Sequence, residues 1–179
     1  MTEHHFSLVP FHDMALPEIN IAGGILREQD FLTVHYSLSG KTEDILLPPA
    51  TSHPGRRDEL WLSTCFEFFL ALQGQPQYWE FNISTSGHWN VYSIDAYRRI
   101  GFRVEMRIKD VALVIRKLED GWAVTASVDL SPIIGSHIPI VAGIASVIQT
   151  SAGYKSYWAL AHPGPQADFH SRESFILRI

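Results

Sequence analysis

The stretch "YWEFNISTSGHWNVYSI", residues 78–94, decides the fold. Its first half alternates, with Trp79, Phe81 and Ile83 against Tyr78, Glu80 and Asn82. Its second half does the same, with Trp89 and Val91 against His88, Asn90 and Tyr92. Successive strand side chains point to opposite faces, so this period of two marks two half-buried strands. The intervening "STSG" (84–87) reads as a hairpin loop, with Gly87 at the position that takes a positive φ.

The same period extends outward. "FLTVHYSL" (31–38), "CFEFFLAL" (65–72), "VALVIRKL" (111–118) and "GWAVTASVDL" (121–130) all alternate, and Asp120-Gly121 sits at a turn tip. "IPIVAGIASVIQT" (138–150) is nearly all apolar, which predicts burial on both faces. "SYWALA" (156–161) and "ESFILRI" (173–179) close the chain, with a loop over 161–172 between them. "LPPATSHPGRRDE" (47–59) is interrupted by proline and glycine and reads as a long irregular loop. Only "DLSPIIG" (129–135) looks helical: Asp129 or Ser131 can cap one turn and Pro132 can open it. His4 and His5 fall at the start, where order is not expected. The expected fold is all-β: a sandwich of about ten antiparallel strands with little helix, in one domain over residues 1–179.

Composition narrows the function. A chain of 179 residues with 46% hydrophobic content buries a core without staples. A net charge of −5 argues against a nucleic-acid binder, which shows a basic face. The locally basic "YRRIGFR", with Arg98, Arg99 and Arg103, reads as a solvated stretch, and phosphate binding is its minor reading. No apolar run has the roughly 18 residues of a membrane span. The N-terminus lacks a secretory pattern, so a cytoplasmic location is expected. Cys65 is the one cysteine and lies in a strand pattern, which predicts an inert core thiol.

No G-x-S-x-G, G-x-x-x-x-G-K-[ST], H-E-x-x-H or G-x-G-x-x-G signature is present, so no enzyme activity is expected. The chemistry instead collects on the polar face of the 78–94 hairpin. Glu80, Asn82 and Asn90 share that face with Tyr78 and Tyr92, and Glu67 joins them from the 65–72 strand. A solvated sheet face usually carries Lys, Arg and Thr, yet residues 65–92 contain no Lys or Arg. Carboxylates and amides beside aromatics suit a sugar, whose hydroxyls bond to planar polar groups while its C–H face packs on a ring. "HPGPQADFH" offers His162, Asp168 and His170 as metal donors, but their spacing matches no zinc pattern. The stronger reading has them tie down a Pro-Gly loop.

The segment "ELWLSTCFEFFLALQGQPQYWEFNISTSGHWNVYSIDAY" resembles the core of family 9 carbohydrate-binding modules and the related DOMON-like domains. There a Trp precedes a "VEIFL"-like strand and a "Y-x-F-x-x-N-P-x-G" hairpin. The equivalents here are Trp61, "CFEFFL" and "YWEFNISTSGHWNVY". A C-terminal "W…FH-x-x-x-x-F-x-L" pattern is matched by Trp158, Phe169-His170, Phe175 and Leu177. The chain also resembles uncharacterised bacterial single-domain DOMON-like proteins. The resemblance implies a jelly-roll or immunoglobulin-like sandwich. It also implies a non-catalytic site in which Trp61 and Trp158 sandwich a sugar while Glu67 takes its hydroxyls; the polar face of the hairpin adds Glu80, Asn82 and Asn90 as further candidate bonding groups. A small molecule, most simply a saccharide, is the expected partner, and no cofactor is expected.

Other classes stay open. Some DOMON relatives ligate haem through Met and His, which would use Met106; a divalent metal would use the 162–170 loop. Glu67 and Glu80 could act as an acid and base. Exposed aromatics could instead mark a protein interface. The sequence names neither the ligand nor the oligomeric state.

Overall fold

The structure is a computed structural model that describes residues 3–11, 16–97 and 101–179. Its strands are β1 (His4–Ser7), β2 (Val9–Pro10), β3 (Ile19–Glu28), β4 (Phe31–Gly40), β5 (Gly55–Arg56), β6 (Cys65–Leu72) and β7 (Tyr78–Ile83), then β8 (His88–Ile94), β9 (Arg103–Val104), β10 (Ala112–Leu118), β11 (Gly121–Asp129), β12 (Ile140–Gln149), β13 (Lys155–Ala159) and β14 (Leu177–Arg178). They form two sheets. The smaller has the order β1-β3-β4-β11-β10. The larger has the order β2-β13-β12-β6-β7-β8-β5, with β14 on β12 and β9 on β8. The strand pairings are antiparallel except β5 with β8, which is parallel.

The all-β sandwich expected from period-two alternation is what forms, with more and shorter strands than the sequence indicates. Between the sheets, Val34, Tyr36, Leu38, Val124 and Val128 of the small sheet meet Phe66, Phe68, Phe81, Val91 and Ile144 of the large one, all buried. Phe68 and Phe81 stack across β6 and β7 with centroids 4.3 Å apart. Tyr36 spans the layers, its hydroxyl donating to the Glu67 carbonyl at 2.8 Å. β12 lies between β13 and β6 and is buried over most of its length, as its apolar run requires. Gly87 has φ +92° at the β7–β8 turn, which Ser84 closes by donating to the His88 carbonyl.

Several elements differ from expectation. His4 and His5 are not disordered but pair with Ile25 and Gly24. β3 carries no alternation signal, because Gly23 and Gly24 break the pattern. Their reason is steric: a Cβ on Gly23 would lie 1.9 Å from the His35 carbonyl and 2.7 Å from the Phe6 ring. Gly23→Ala should therefore cost about 1–3 kcal/mol through forced strand separation, read as a lower urea midpoint; an unchanged midpoint would refute the close approach. The 47–59 loop contains the two-residue β5, since Gly55 and Arg56 pair with His88 and Trp89. Asp129 ends β11, and residues 131–134 form a single turn rather than a helix, capped where Ser131 N–H donates to Asp129 Oδ1. The 3-10 turns are Thr42–Asp44, Leu60–Leu62 and Arg172–Ser174. The last of these interrupts the expected 173–179 strand and shortens it to Leu177–Arg178, beyond which Ile179 still exchanges backbone hydrogen bonds with Ile140. Among the described residues no helix is long and apolar enough to cross a membrane. Arg103 is held by both Asp95 oxygens at 2.8 and 2.9 Å; Arg98 and Arg99 lie outside the described residues.

Candidate functional site

The outer face of the large sheet is not solvated. The register sets Glu67 opposite Asn82, Phe69 opposite Glu80, Glu80 opposite Tyr92 and Asn82 opposite Asn90. All of these side chains are buried. The 161–176 segment covers one part of the face: Phe175 packs within 2.6 Å of where a Cβ on Gly143 would lie, and the Tyr78 hydroxyl hydrogen-bonds to His170 Nδ1 at 2.9 Å. The Leu60–Leu62 turn, entered through Glu59 at φ +61°, presents Trp61 over another part. A non-glycine residue in that conformation is strained, and such strain concentrates at working sites.

Between these covers lies a cavity of about 480 Å³, within the range of small-molecule sites. Its walls are aromatic: Trp61, Phe102, Tyr157 and Phe169. Phe102 stacks on Tyr92 at 4.4 Å, and Trp61 meets Tyr92 edge-on at 5.7 Å. Tyr157 and Phe169 meet edge-on at 6.0 Å. Glu67 and Glu80 also line it, 3% and 4% exposed. Glu80 Oε1 accepts from Asn82 Nδ2 at 2.7 Å. Glu67 Oε1 and Glu80 Oε2 are buried without a hydrogen bond; His170 Nε2 is 3.9 Å from the latter, beyond bonding distance. Burial, reinforced by the charge of Glu80, pushes the Glu67 carboxyl well above the usual range. Burial likewise raises Glu80, to about 7, against the opposing bond from Asn82. Buried polar atoms are nearly always satisfied, so two orphaned carboxyl oxygens on residues that line one cavity stand out.

A larger cleft of about 790 Å³ opens where β5 and β8 face β10 and β11, beside Trp89 and Trp122. Its guanidinium, Arg56, is already spent on Asn90 and on two carbonyls. None of the orphaned polar atoms among the described residues lines it. The smaller cavity is the better candidate on chemical grounds.

Of the residues singled out in the sequence, the structure brings Trp61, Glu67 and Glu80 together around this cavity. Trp158 is not there. It faces the sandwich core, 5% exposed, with Nε1 donating to Ser156 Oγ at 2.9 Å. The reason is phase: Ala159, not Trp158, stands opposite Ala145, the partner of Glu67. Tyr157, one residue earlier, supplies the wall. Asn82 and Asn90 do not line the cavity. Asn82 orients Glu80, and Asn90 joins a network in which its Nδ2 donates to Asp58 Oδ1 at 2.7 Å. Asp168 and His170 line the cavity, the His170 N–H donating to Asp168 Oδ1 at 3.0 Å. His162 sits away from them, its Nε2 3.0 Å from the Val9 carbonyl. Among the described residues no group of three or more His, Cys, Asp or Glu is placed to hold a metal. Met106 is exposed on a turn. Cys65 is buried, and burial raises its thiol well above the usual value.

No family model and no curated protein sequence matches the chain. Solved structures do. A candidate carbohydrate-binding protein from Bacteroides uniformis superposes with a TM-score of 0.74 at 15% identity, over 96% of this chain and 84% of that one. A family 9 carbohydrate-binding module from Caldicellulosiruptor kristjanssonii, in complex with cellotriose, superposes with a TM-score of 0.50 at 15% identity, over 86% of this chain and 71% of that one. At this identity the likeness is one of fold: the chain shares the β-sandwich of carbohydrate-binding proteins.

Proposed function

We propose that the protein is a non-catalytic binder of a saccharide, held in the cavity between Trp61 and the Glu67–Glu80 pair. The observation that carries this is the pair of orphaned carboxyl oxygens, Glu67 Oε1 and Glu80 Oε2, beneath aromatic walls. A pyranose offers what both surfaces lack: hydroxyl donors for the carboxyls, and C–H faces for Trp61 and Tyr157. The raised Glu67 carboxyl, when protonated, donates to a hydroxyl oxygen in turn. The fold shared with carbohydrate-binding proteins supports the same reading.

Titration calorimetry across mono- and disaccharides tests it. At least one sugar binds, and Trp61→Ala weakens that binding about tenfold or more, the loss of a stacked aromatic worth roughly 1.4 kcal/mol. No binding by any sugar, or binding indifferent to Trp61→Ala, would sink the reading.

A further inference from the structure

The cavity is more acidic than a neutral sugar requires. The charged and titratable groups lining it come from four elements: Glu67 on β6, Glu80 on β7, Lys155 and Tyr157 on β13, and Asp168 with His170 on the covering segment. The Leu60–Leu62 turn and the Phe102 segment contribute only aromatic and aliphatic side chains. Among the described residues no arginine lines the cavity. The nearest guanidinium on the covering segment, Arg172, turns instead onto the Tyr78 and Phe175 rings, 5.7 and 4.9 Å from their centroids. Carboxyl groups therefore outnumber cationic ones, and Glu67 and Glu80 each keep one oxygen without a hydrogen bond among the described residues.

A neutral polyol bonds those oxygens but leaves unopposed the charge of a carboxylate that ionises in a buried site. An ammonium group answers both needs. It brings three N–H donors and a positive charge. The walls favour it too, since Trp61 and Tyr157 line the cavity and an aromatic ring attracts cations to its face. We infer that the ligand carries a primary ammonium group and is an amino sugar, its nitrogen held by the Glu67 and Glu80 carboxyl groups and its ring against Trp61. This rests on the saccharide reading and names the substrate class within it. The cavity is then selective by charge as well as by shape, and N-acetylation of the ligand removes the feature it recognises.

The test is calorimetry near pH 7 with the intact protein. The probes are glucosamine, galactosamine and mannosamine, each beside its parent hexose and its N-acetyl derivative. One amino sugar is expected to bind about tenfold or more tightly than both of its counterparts. Pairing with an ammonium favours the ionised carboxyls, so binding releases protons, and the measured heat varies with the ionisation enthalpy of the buffer. Glu67→Gln with Glu80→Gln abolishes both the preference and the proton release. Glutamine keeps the shape of each side chain, and an unchanged circular dichroism spectrum shows that the variant is folded. Should it fail to fold, the proton release of the wild-type protein remains the deciding readout. Equal affinity for an amino sugar and its parent hexose overturns this inference and leaves the saccharide reading standing. Absence of binding by every sugar overturns both. A preference that survives in the glutamine variant, or binding without proton release, overturns the role given to the carboxyl pair.

Discussion

Glu80→Gln should make the protein more stable at pH 8 and leave it nearly unchanged at pH 5. Burial raises the Glu80 carboxyl in the folded chain from 4.5 to about 7. A carboxyl raised on folding binds its proton more tightly in the folded state. Its stabilising contribution is fully present below about 4.5 and is lost as pH rises through about 7. At 1.36 kcal/mol per pH unit the loss is on the order of 3 kcal/mol. Glu67 is shifted in the same direction and adds to the trend. Glu105 runs the other way. Arg107, bonded at 2.7 and 2.9 Å, is the main cause that holds its carboxyl down at about 2, so its contribution is present above 4.5 and is lost as pH falls from there through about 2. The window from pH 5 to 8 therefore reports on Glu67 and Glu80. Urea unfolding of wild type and variant at both ends measures it. Parallel stability curves across that range would show that the Glu80 carboxyl is not raised. Ligand binding should also narrow the wild-type decline, because a donor on the orphaned oxygens offsets the cost of ionising them.

Arg56→Met should destabilise the protein by about 2–4 kcal/mol and disturb the aromatic wall from behind. Arg56 donates to Asn90 Oδ1 at 2.8 Å, to the Glu105 carbonyl at 2.9 Å and to the Ile108 carbonyl, and it lies 4.4 Å over the Trp89 ring. Methionine keeps the apolar stem but leaves those acceptors without a donor. The consequence runs further: Asn90 Nδ2 and the Tyr92 hydroxyl both donate to Asp58 Oδ1, at 2.7 and 2.8 Å, and Tyr92 supports Phe102 and Trp61. Two readouts apply, the urea midpoint and the Trp61 environment as seen by sugar titration. Arg56→Lys keeps the charge but loses the planar fork, so it should fall between the two. A midpoint shift below about 0.5 kcal/mol, the scatter of ordinary surface substitutions, would show that this network carries no weight.

Much of this architecture was legible in single side chains. The alternation through 65–94 put Phe68, Phe81 and Val91 on one face and Glu67, Glu80 and Asn90 on the other, and the register agrees. The absence of Lys and Arg from that stretch was a sound signal, since the polar face is buried rather than wet. β3 escaped notice because Gly23 and Gly24 carry no side chain to alternate, although close strand approach is why glycine stands there. Phe102 and Phe169 sit in irregular segments, where no period announces a direction.

Trp158 and Tyr157 show where local reading ends. The residues of "SYW" alternate either way round, and both aromatic choices fit a strand. Which of them faces the cavity depends on the pairing of β13 with β12 and of β12 with β6, contacts between residues about 80 positions apart for Glu67 and Ala145. Side-chain alternation is a property of one strand and survives in the sequence. The sequence by itself therefore determined that this chain is a β-sandwich with one apolar and one carboxyl-bearing face on its central hairpin. Only the tertiary structure decided which aromatics close over those carboxyls, and that their oxygens are left without partners, because covering a face and orphaning an atom are consequences of packing between distant segments.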